Sequence, residues 1–161
     1  MNELSKDVSG PRFETGRSML IAGLNESYTY ASAGAGIPAQ WARFSEGFVE
    51  IPAQVGTYCY GVSWNFDGTD KFDYLCGIEV SGLSGLPEDY SNVLLPAQKY
   101  AVFSHTGHIS TIKNSIDYIW RTWLPNSGYK PVHAPTFERY GESFCPDTGY
   151  GEVEMWVAIQ S

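Results

Sequence analysis

Basic residues are scarce in this sequence. Its 161 residues include 10 Lys and Arg against 18 Asp and Glu, which gives a formal net charge of −8 and a pI near 4.7. Direct binding of nucleic acid depends on clustered Lys and Arg that neutralise phosphates, so this composition argues against it. A neutral or positively charged partner fits the acidic chain better.

Cysteine is also rare. Only Cys59, Cys76 and Cys145 are present, and no pair has the C-x-x-C spacing. An odd count without that spacing supports neither a disulfide framework nor a thiolate zinc site. The natural interpretation is a protein of a reducing compartment.

Long apolar runs are missing as well. Residues 1–11 lack the hydrophobic stretch of a secretory signal. No later segment approaches the ~20 apolar residues that a membrane-spanning helix needs. The sequence therefore predicts a soluble, cytoplasmic protein that does not bind a membrane.

Familiar catalytic and cofactor motifs are absent too. His105, His108 and His133 show no H-E-x-x-H pattern, and we expect the first two to cap or flank a helix. No G-x-S-x-G elbow marks a nucleophilic serine. The stretch 32–36 (SAGAG) lacks the third glycine of a dinucleotide fingerprint. We therefore predict no metal, no cofactor and no catalytic residue.

Apolar and aromatic residues are plentiful. They make up 43% and 15% of the chain, enough for one domain over 1–161 to bury a core. Residues 16–30 alternate between apolar and polar positions as a strand does. Residues 57–64 and 72–80 flank Asp67-Gly68 and predict a β-hairpin. Between these segments we predict a helix from Ile37, with Pro38 in its first turn and Pro52 closing it. Its apolar face carries Ile37, Trp41, Phe44 and Phe48.

The same order of elements recurs in the second half. Residues 99–106 form a predicted strand, and residues 136–143 and 153–159 form a second predicted hairpin. The helix between them ends at Pro125. Its apolar face carries Ile109, Ile112, Ile116, Ile119, Trp120 and Trp123.

This recurrence predicts a duplication. Residues 60–64 (YGVSW) line up with 140–144 (YGESF), each at the end of the first strand of its hairpin. We predict an α+β fold of two β-α-β-β repeats related by a pseudo-twofold axis, with antiparallel sheets and two main helices. The first repeat covers about 16–80, a connecting loop about 81–97 and the second repeat about 98–161.

Several short motifs, taken in order, resemble the GyrI-like family, the effector-binding domain also found in AraC-type and MerR-type transcription regulators. They are GPRFET at 10–15, CGIEV at 76–80, FSHTG at 103–107, FERY at 137–140 and EMWVAI at 154–159. The resemblance covers most of the chain and is that of a stand-alone member, without a helix-turn-helix segment. It implies two repeats around a ligand cleft that is lined by aromatic residues and often holds a glutamate that meets cationic drugs or dyes. By position, that glutamate is Glu138.

Strand alternation provides a separate argument for Glu138. It puts Thr136, Glu138 and Tyr140 on one face of a strand and Phe137 and Arg139 on the other. The glutamate therefore points away from its nearest arginine. If its face is enclosed, the carboxylate loses water without gaining an intramolecular cation, which raises its pKa or costs folding energy. A bound cation relieves that cost.

Aromatic side chains able to stack on a guest or make cation–π contacts complete the candidate ligand-binding set. Taken without the resemblance, a strand glutamate is more often a solvated outer residue, and tryptophans on a helix face are more often core. Repeat-related tyrosines serve equally well as packing residues. The candidates are Glu138, Tyr140, Tyr60, Trp64, Phe103, Trp120, Trp123 and Trp156.

Three classes of function remain open at this point. The leading hypothesis is a non-enzymatic binder that senses or sequesters cationic amphipathic or aromatic compounds. A hydrolase is the runner-up, because a desolvated Glu138 beside Tyr140 is suited to activate water as a general base. A protein-interaction module, like relatives that antagonise DNA gyrase, is the third. A second copy of the chain, forming a homodimer, or a separate regulatory protein is kept open as a partner.

Overall fold

The computed structural model describes residues 8–47, 50–132, 134–145 and 147–160. Helix α1 spans Tyr30–Glu46. A second helical segment consists of a 3₁₀ turn (Ile109–Thr111), helix α2 (Ile112–Tyr118), a π-helical turn (Ile119–Trp123) and helix α3 (Leu124–Ser127). The strands are β1 (Val8–Gly16), β2 (Met19–Thr29), β3 (Gln54–Trp64), β4 (Lys71–Val80), β5 (Ser91–Leu95), β6 (Gln98–His105), β7 (Lys130–Pro131), β8 (Thr136–Tyr140) and β9 (Val153–Gln160).

The strands form an antiparallel sheet whose order is symmetric about its centre. The order is β1-β6-β9-β8-β3-β4-β2-β5, and β7 pairs with β9. The central pair is β3 and β8. On one side of it lie β4, β2 and β5, and on the other side lie β9, β6 and β1. This order confirms the predicted α+β fold of two β-α-β-β repeats related by a pseudo-twofold axis.

The two outer strands correct the sequence analysis. β5 lies within the segment that was predicted to be a connecting loop, and it pairs with β2. β1 precedes the first repeat along the chain but pairs with β6 of the second. The single strand predicted over 16–30 is also divided, because β1 ends at Gly16 and β2 begins at Met19. Each half of the sheet therefore contains four strands: the three strands of its β-α-β-β repeat and one outer strand that the sequence analysis did not predict.

Helix α1 begins at Tyr30 rather than near Ile37. Thr29 caps it: the Thr29 hydroxyl accepts a hydrogen bond from the Ser32 amide, and Ser32 Oγ accepts one from the Thr29 amide. This reciprocal capping fixes the start of the helix despite the Gly and Ala residues that follow. Pro38 consequently lies inside the helix and not in its first turn. Phe48, expected on the apolar face, lies outside the described residues.

One row of directly paired residues crosses the centre of the sheet. It consists of Leu24, Cys76, Gly61, Glu138, Met155 and Phe103. Gly61 and Glu138 are its central pair. Leu24 and Phe103 are 79 residues apart, and so are Cys76 and Met155. The two helical segments begin with the same separation, at Tyr30 and Ile109, so an offset of 79 relates the two repeats there.

This register shows that the alignment of residues 60–64 with 140–144 is wrong. β8 ends at Tyr140, and the residue opposite Gly61 is Glu138. The equivalent positions of the two central strands are therefore Gly61 and Glu138. Applied to the helices, the offset of 79 makes Trp41 equivalent to Trp120.

Both helical segments lie on one face of the sheet. Phe44 of α1 shares a buried cluster with Cys76 of β4. Ile119 of the second helical segment shares another with Phe103 of β6. Because Cys76 and Phe103 belong to the same paired row, the two segments cover the same face. The opposite face carries a third cluster, which includes Ile21, Tyr60, Val62, Phe137 and Trp156.

The helices of the described residues are too short or too polar for a transmembrane span.

Candidate functional site

Glu138 occupies the centre of the helix-bearing face. It lies on β8 between Gly61 of β3 and Met155 of β9. α1 covers one half of this face and the second helical segment covers the other. Glu138 as a whole residue is partly buried.

Two tyrosine hydroxyl groups hold the Glu138 carboxylate. Tyr140 donates a hydrogen bond of 2.9 Å to Oε1 of Glu138, and Tyr74 of β4 donates one of 3.0 Å to the same oxygen. The indole Nε1 of Trp41 donates to the Tyr74 hydroxyl at 3.0 Å. The ring of Trp41 also packs edge-on against Tyr140, with the ring centres 5.1 Å apart. These four side chains form what we call the glutamate cluster.

The charge of Glu138 has no counter-charge within the described part of the chain, where no ion pair involves this residue. Desolvation raises its pKa, while the hydrogen bonds from Tyr140 and Tyr74 oppose the rise. Desolvation also raises the pKa of both tyrosines well above the usual value, and the neighbouring Glu138 adds to the effect. The cluster therefore keeps its two hydroxyl protons and directs them at a poorly solvated carboxylate.

Arg139, the nearest arginine in sequence, lies on the other side of the sheet. Its Nη2 pairs with Oε1 of Glu154 at 2.7 Å. Its guanidinium lies over the rings of Tyr58 and Trp156, at 4.2 and 5.0 Å from their centres. Strand alternation thus separates Glu138 from this cation, as the sequence predicts.

Gly61 provides the space in which the glutamate cluster assembles. A Cβ atom at this position would overlap the Tyr74 hydroxyl and lie 3.0 Å from Oε1 of Glu138. The absence of a side chain allows Tyr74, which is on the neighbouring strand β4, to reach across β3 to Glu138. The glycine is required by this close approach and not by its backbone conformation.

Further rings extend from the glutamate cluster. Phe144 packs against Tyr140 with ring centres 5.1 Å apart. Phe44 packs edge-on against Trp41 at 6.0 Å, and Tyr90 lies 6.1 Å from Phe44. A connected series of aromatic rings therefore runs from Glu138 to α1, and its Phe44 member is buried.

The aromatic residues of the candidate ligand-binding set divide between the two faces of the sheet, so they do not all share a face with Glu138. Tyr60, Trp64 and Trp156 lie on the opposite face, because each stands at an odd number of positions from a residue of the central row. Trp64 donates its indole N–H to Asn25, and Trp156 stacks on Phe137. Of the predicted aromatic residues, Tyr140 donates a hydrogen bond to Glu138.

The remaining three predicted aromatic residues belong to the second half of the helix-bearing face. Phe103 is fully buried and packs edge-on against Trp123, which also stacks on Tyr129. Phe103 is a core residue beneath the second helical segment, and Trp123, a partly buried residue of that segment, packs against the same core. Trp120, in contrast, is 38% exposed, and it is the repeat equivalent of Trp41 in the glutamate cluster.

Sequence reasoning missed Tyr74 and Trp41. Trp41 was predicted on the apolar face of a helix, where a core role is the ordinary expectation. Tyr74 lies on a strand of nearly continuous burial, so alternation did not mark it out. Only the register of β3 between β4 and β8 brings Tyr74 to Glu138.

The histidines contribute to the start of the second helical segment. His108 caps the 3₁₀ turn, since its side chain accepts a hydrogen bond from the Ser110 amide. His105 is buried, with Nδ1 at 2.7 Å from Ser115 Oγ and Nε2 at 2.9 Å from the His108 carbonyl oxygen. Both therefore flank this segment as predicted, whereas His133 lies outside the described residues. Within those residues, no group of three His, Cys, Asp or Glu side chains is placed to hold a metal ion.

Comparison with known proteins adds a family, two curated relatives and a fold. The family model of the GyrI-like small molecule binding domain matches residues 10–160. The transcriptional regulator BrlR of Pseudomonas aeruginosa is 33% identical over 90 residues, which are 55% of this chain and 33% of BrlR. The probable transcriptional regulator YgiV of Escherichia coli O157:H7 is 34% identical over 86 residues, which are 50% of this chain and 53% of YgiV. The matched stretch thus spans between a third and about half of these relatives.

Among solved structures, that of SAV2435 bound to tetraphenylphosphonium is similar in fold. The TM-score is 0.79, and the match covers 95% of each chain at 17% sequence identity. At this identity, the similarity establishes a common architecture.

Proposed function

The chain belongs to the GyrI-like small-molecule-binding domain family, and from this premise we propose that it captures cationic amphipathic or aromatic compounds. The guest enters a cleft between the two repeats, and Glu138 is its counter-charge. The protein acts as a cytoplasmic sensing or sequestering module rather than as an enzyme.

The observation that carries the proposal is the isolation of the Glu138 carboxylate. It accepts hydrogen bonds from Tyr74 and Tyr140, but these donors are neutral. Desolvation raises its pKa, so the folded protein holds the ionised form at a cost. A cation that enters beside Glu138 relieves this cost, whereas a neutral or anionic guest of the same shape does not.

Aromatic side chains supply affinity to the proposed cleft. Trp41 and Tyr140 are already in contact with each other beside Glu138. Trp120, the counterpart of Trp41 across the pseudo-twofold axis, is 38% exposed and forms the second wall. Faces of Trp and Tyr attract cations by about 0.5–2 kcal/mol each. A wide aromatic slot with one fixed charge selects a class of compounds rather than a single compound.

Similar proteins support this class of ligand. SAV2435, which shares the fold, has been solved bound to tetraphenylphosphonium, a delocalised aromatic cation. BrlR and YgiV are transcriptional regulators or probable ones. A sensing role, in which the bound guest alters contacts with a separate regulatory protein, fits both facts.

A hydrolase is the second candidate, because neither tyrosine bond engages Oε2 of Glu138. That oxygen is the one suited to activate a water molecule. The neighbouring donors, however, are committed within the glutamate cluster: both hydroxyl groups point at Glu138, and the Trp41 N–H points at Tyr74. None of these three is directed toward a developing oxyanion, so the geometry favours binding over hydrolysis.

Calorimetric titration with two ions of the same shape tests the proposal. Tetraphenylphosphonium should bind the wild-type protein, and tetraphenylborate, its anionic counterpart, should bind at least about tenfold more weakly. Glu138→Gln keeps an acceptor for both tyrosines but removes the charge, so it should weaken phosphonium binding by about 10- to 100-fold. Glu88→Gln, at an exposed position in the connection between β4 and β5, is the control for net charge and should bind like the wild type.

Equal affinity for the two ions, or unchanged phosphonium binding by Glu138→Gln, would show that Glu138 is not the counter-charge. Loss of a reactive ester or epoxide in the presence of the wild type but not of Glu138→Gln would favour the hydrolase instead.

A further inference from the structure

The sheet curls until its two ends lie near each other. Five strands separate β1 from β2 in the sheet order, which would place them about 29 Å apart in a flat sheet. Only residues 17 and 18 join them, and such a link spans at most about 11 Å. The inside of the curl is the face opposite to the helices, because one buried cluster on that face includes Ile21 of β2 and Tyr100 of β6. The sheet thus forms a half-closed barrel.

A cavity opens at the end of this barrel, beside the link between β1 and β2, on the face opposite to Glu138. Its volume is about 240 Å³, below the range of about 300–1,000 Å³ that is typical of sites for drug-sized ligands, so it suits a small guest. We call it the back-face cavity. Its aromatic walls are formed by Tyr58, Tyr60, Phe137 and Trp156.

The charges around the back-face cavity are balanced. On one side, Arg17 donates to both oxygens of Glu79. On the other side, a chain of ion pairs connects Arg139, Glu154, Arg12 and Glu14. Three arginines therefore meet three carboxylates, which leaves no surplus of either sign. A charged guest finds a partner only by taking the place of a residue that is already paired.

Arg17 is the residue that a guest can replace. Its side chain is 64% exposed, whereas that of Glu79 is 7% exposed. Arg17 therefore loses little when it moves into solvent, but a buried Glu79 left without a cation is costly. Arg139, in contrast, is held against the rings of Tyr58 and Trp156, at 4.2 and 5.0 Å from their centres. The exchangeable position is thus the one beside Glu79.

The sheet is open at Glu79. The ladder between β3 and β4 is interrupted between Gln54 and Cys59. Residues 55–58 there lie opposite Glu79 alone, and Gly56 among them adopts φ 72°. Such a bulge bends a strand and disrupts the ladder locally. Because this bulge and Glu79 both line the back-face cavity, the carboxylate lies at an opening in the sheet.

We propose that the back-face cavity binds a small aromatic amidine or guanidine, whose cation displaces Arg17 from Glu79 while its ring packs among the aromatic walls. In the present pairing, Nη1 and Nη2 of Arg17 each donate to one oxygen of Glu79. A planar cation with two parallel N–H donors reproduces this bidentate geometry, and a quaternary ammonium ion does not. The site is separate from the cleft at Glu138 and does not depend on it.

Benzamidine and phenyltrimethylammonium are the probes, since both are aromatic cations but only benzamidine carries N–H donors. The protein is labelled so that NMR detects each tryptophan indole N–H separately. Benzamidine should shift the Trp156 signal in a saturable way, and phenyltrimethylammonium should act there at least about tenfold more weakly. Glu138→Gln should keep the full Trp156 response to benzamidine. Failure of this site is therefore distinguishable from failure of the cleft at Glu138.

Arg17→Ala tests the displacement itself. Arg17 is tethered beside Glu79 and competes with the guest at an effective concentration in the millimolar range. Its removal should therefore make benzamidine bind at least about tenfold more tightly, whereas Glu79→Gln should weaken binding by at least about tenfold. Arg43→Ala is the matched control, because it breaks an ion pair with the half-exposed Glu26. It should bind benzamidine like the wild type.

Three results would overturn the proposal. They are the absence of a saturable Trp156 shift with benzamidine, equal Trp156 responses to the two probes, and equal benzamidine affinity of the wild type and Arg17→Ala. If the unpaired Glu79 prevents Arg17→Ala from folding, the comparison of the two probes on the wild type still decides.

Discussion

Glu138 and Gly61 lie directly opposite each other in the central strand pair of the sheet, at equivalent positions of the two repeats. The duplication therefore places a carboxylate in one repeat and no side chain in the other. Carboxylates at both positions would repel each other across neighbouring strands. A glycine at the second position avoids this repulsion and admits the Tyr74 hydroxyl. The symmetric fold thus builds an asymmetric site with one charge.

Gly61→Ala tests the dependence of the site on this glycine. The new methyl group overlaps the Tyr74 hydroxyl, so Tyr74 must move away from Glu138. We expect a loss of about 1–3 kcal/mol in the free energy of unfolding, as for other overpacked interiors, together with weaker phosphonium binding. Chemical denaturation and calorimetry measure the two effects. Gly82→Ala, where nothing lies within 4 Å of the added Cβ, is the control; an equal, small effect of both substitutions would contradict the role of Gly61.

Two glycines of α1 should respond oppositely to alanine. Gly34 faces open space, so Gly34→Ala should stabilise the protein by about 0.5–1 kcal/mol through the higher helix propensity of alanine. At Gly36, the Cβ would overlap the ring of Tyr28, whose hydroxyl donates to the buried Gln40. Gly36→Ala should therefore destabilise the protein. Urea denaturation measures both, and stabilisation by both substitutions would mean that Tyr28 is free to move aside.

Most of the fold could be predicted from local pattern. Alternation and turn residues located the hairpin around Asp67-Gly68, and the recurrence of elements predicted the duplicated repeat. The outer strands could not be predicted in this way. β1 pairs with the second repeat although it precedes the first. This pairing is a long-range contact, so the local sequence pattern does not predict it. The start of α1 at Tyr30 was missed because Gly and Ala breakers were weighed above the Thr29 cap.

The candidate site could be predicted only in part. Period-two alternation placed Glu138 with Tyr140 and away from Arg139. That prediction required only the sequence of a single strand. For the other strands, alternation alone does not show which side chains share a face of the sheet with Glu138, because that depends on the register between strands. For that reason Tyr60 and Trp156 were grouped with it although the register puts them on the other face. Tyr74 and Trp41 were missed because their contacts arise from three neighbouring strands and a helix.

The proposed second wall of the cleft can be tested at Trp120. This ring is 38% exposed, so Trp120→Ala should cost less stability than the truncation of a fully buried tryptophan. It should weaken tetraphenylphosphonium binding by about 0.5–2 kcal/mol, the range of a cation–π contact. Tyr150, which is 55% exposed and packs on His108, provides the control Tyr150→Ala, with unchanged affinity expected. An unchanged affinity in Trp120→Ala would remove Trp120 from the site.

The pKa of Glu138 makes a prediction about pH. Because desolvation raises this pKa in the folded protein, the favourable contribution of the protonated carboxyl group is complete below the unfolded-state pKa of about 4.3. It is lost as the pH rises through the folded-state pKa. Glu138→Gln, which cannot ionise, should therefore be more stable than the wild type at pH 7, and the difference should shrink toward zero near pH 4.

Cation binding should show the opposite trend over the same range, since only the ionised carboxylate attracts the guest. Phosphonium affinity of the wild type should rise with pH through the folded-state pKa of Glu138, and the affinity of Glu138→Gln should stay flat. Thermal melting at pH 4 and pH 7, with and without tetraphenylphosphonium, measures both trends in one experiment. A wild type that gains stability over Glu138→Gln between pH 4 and pH 7 would indicate a carboxylate already stabilised by the protein, and a bound cation would then have no cost to relieve.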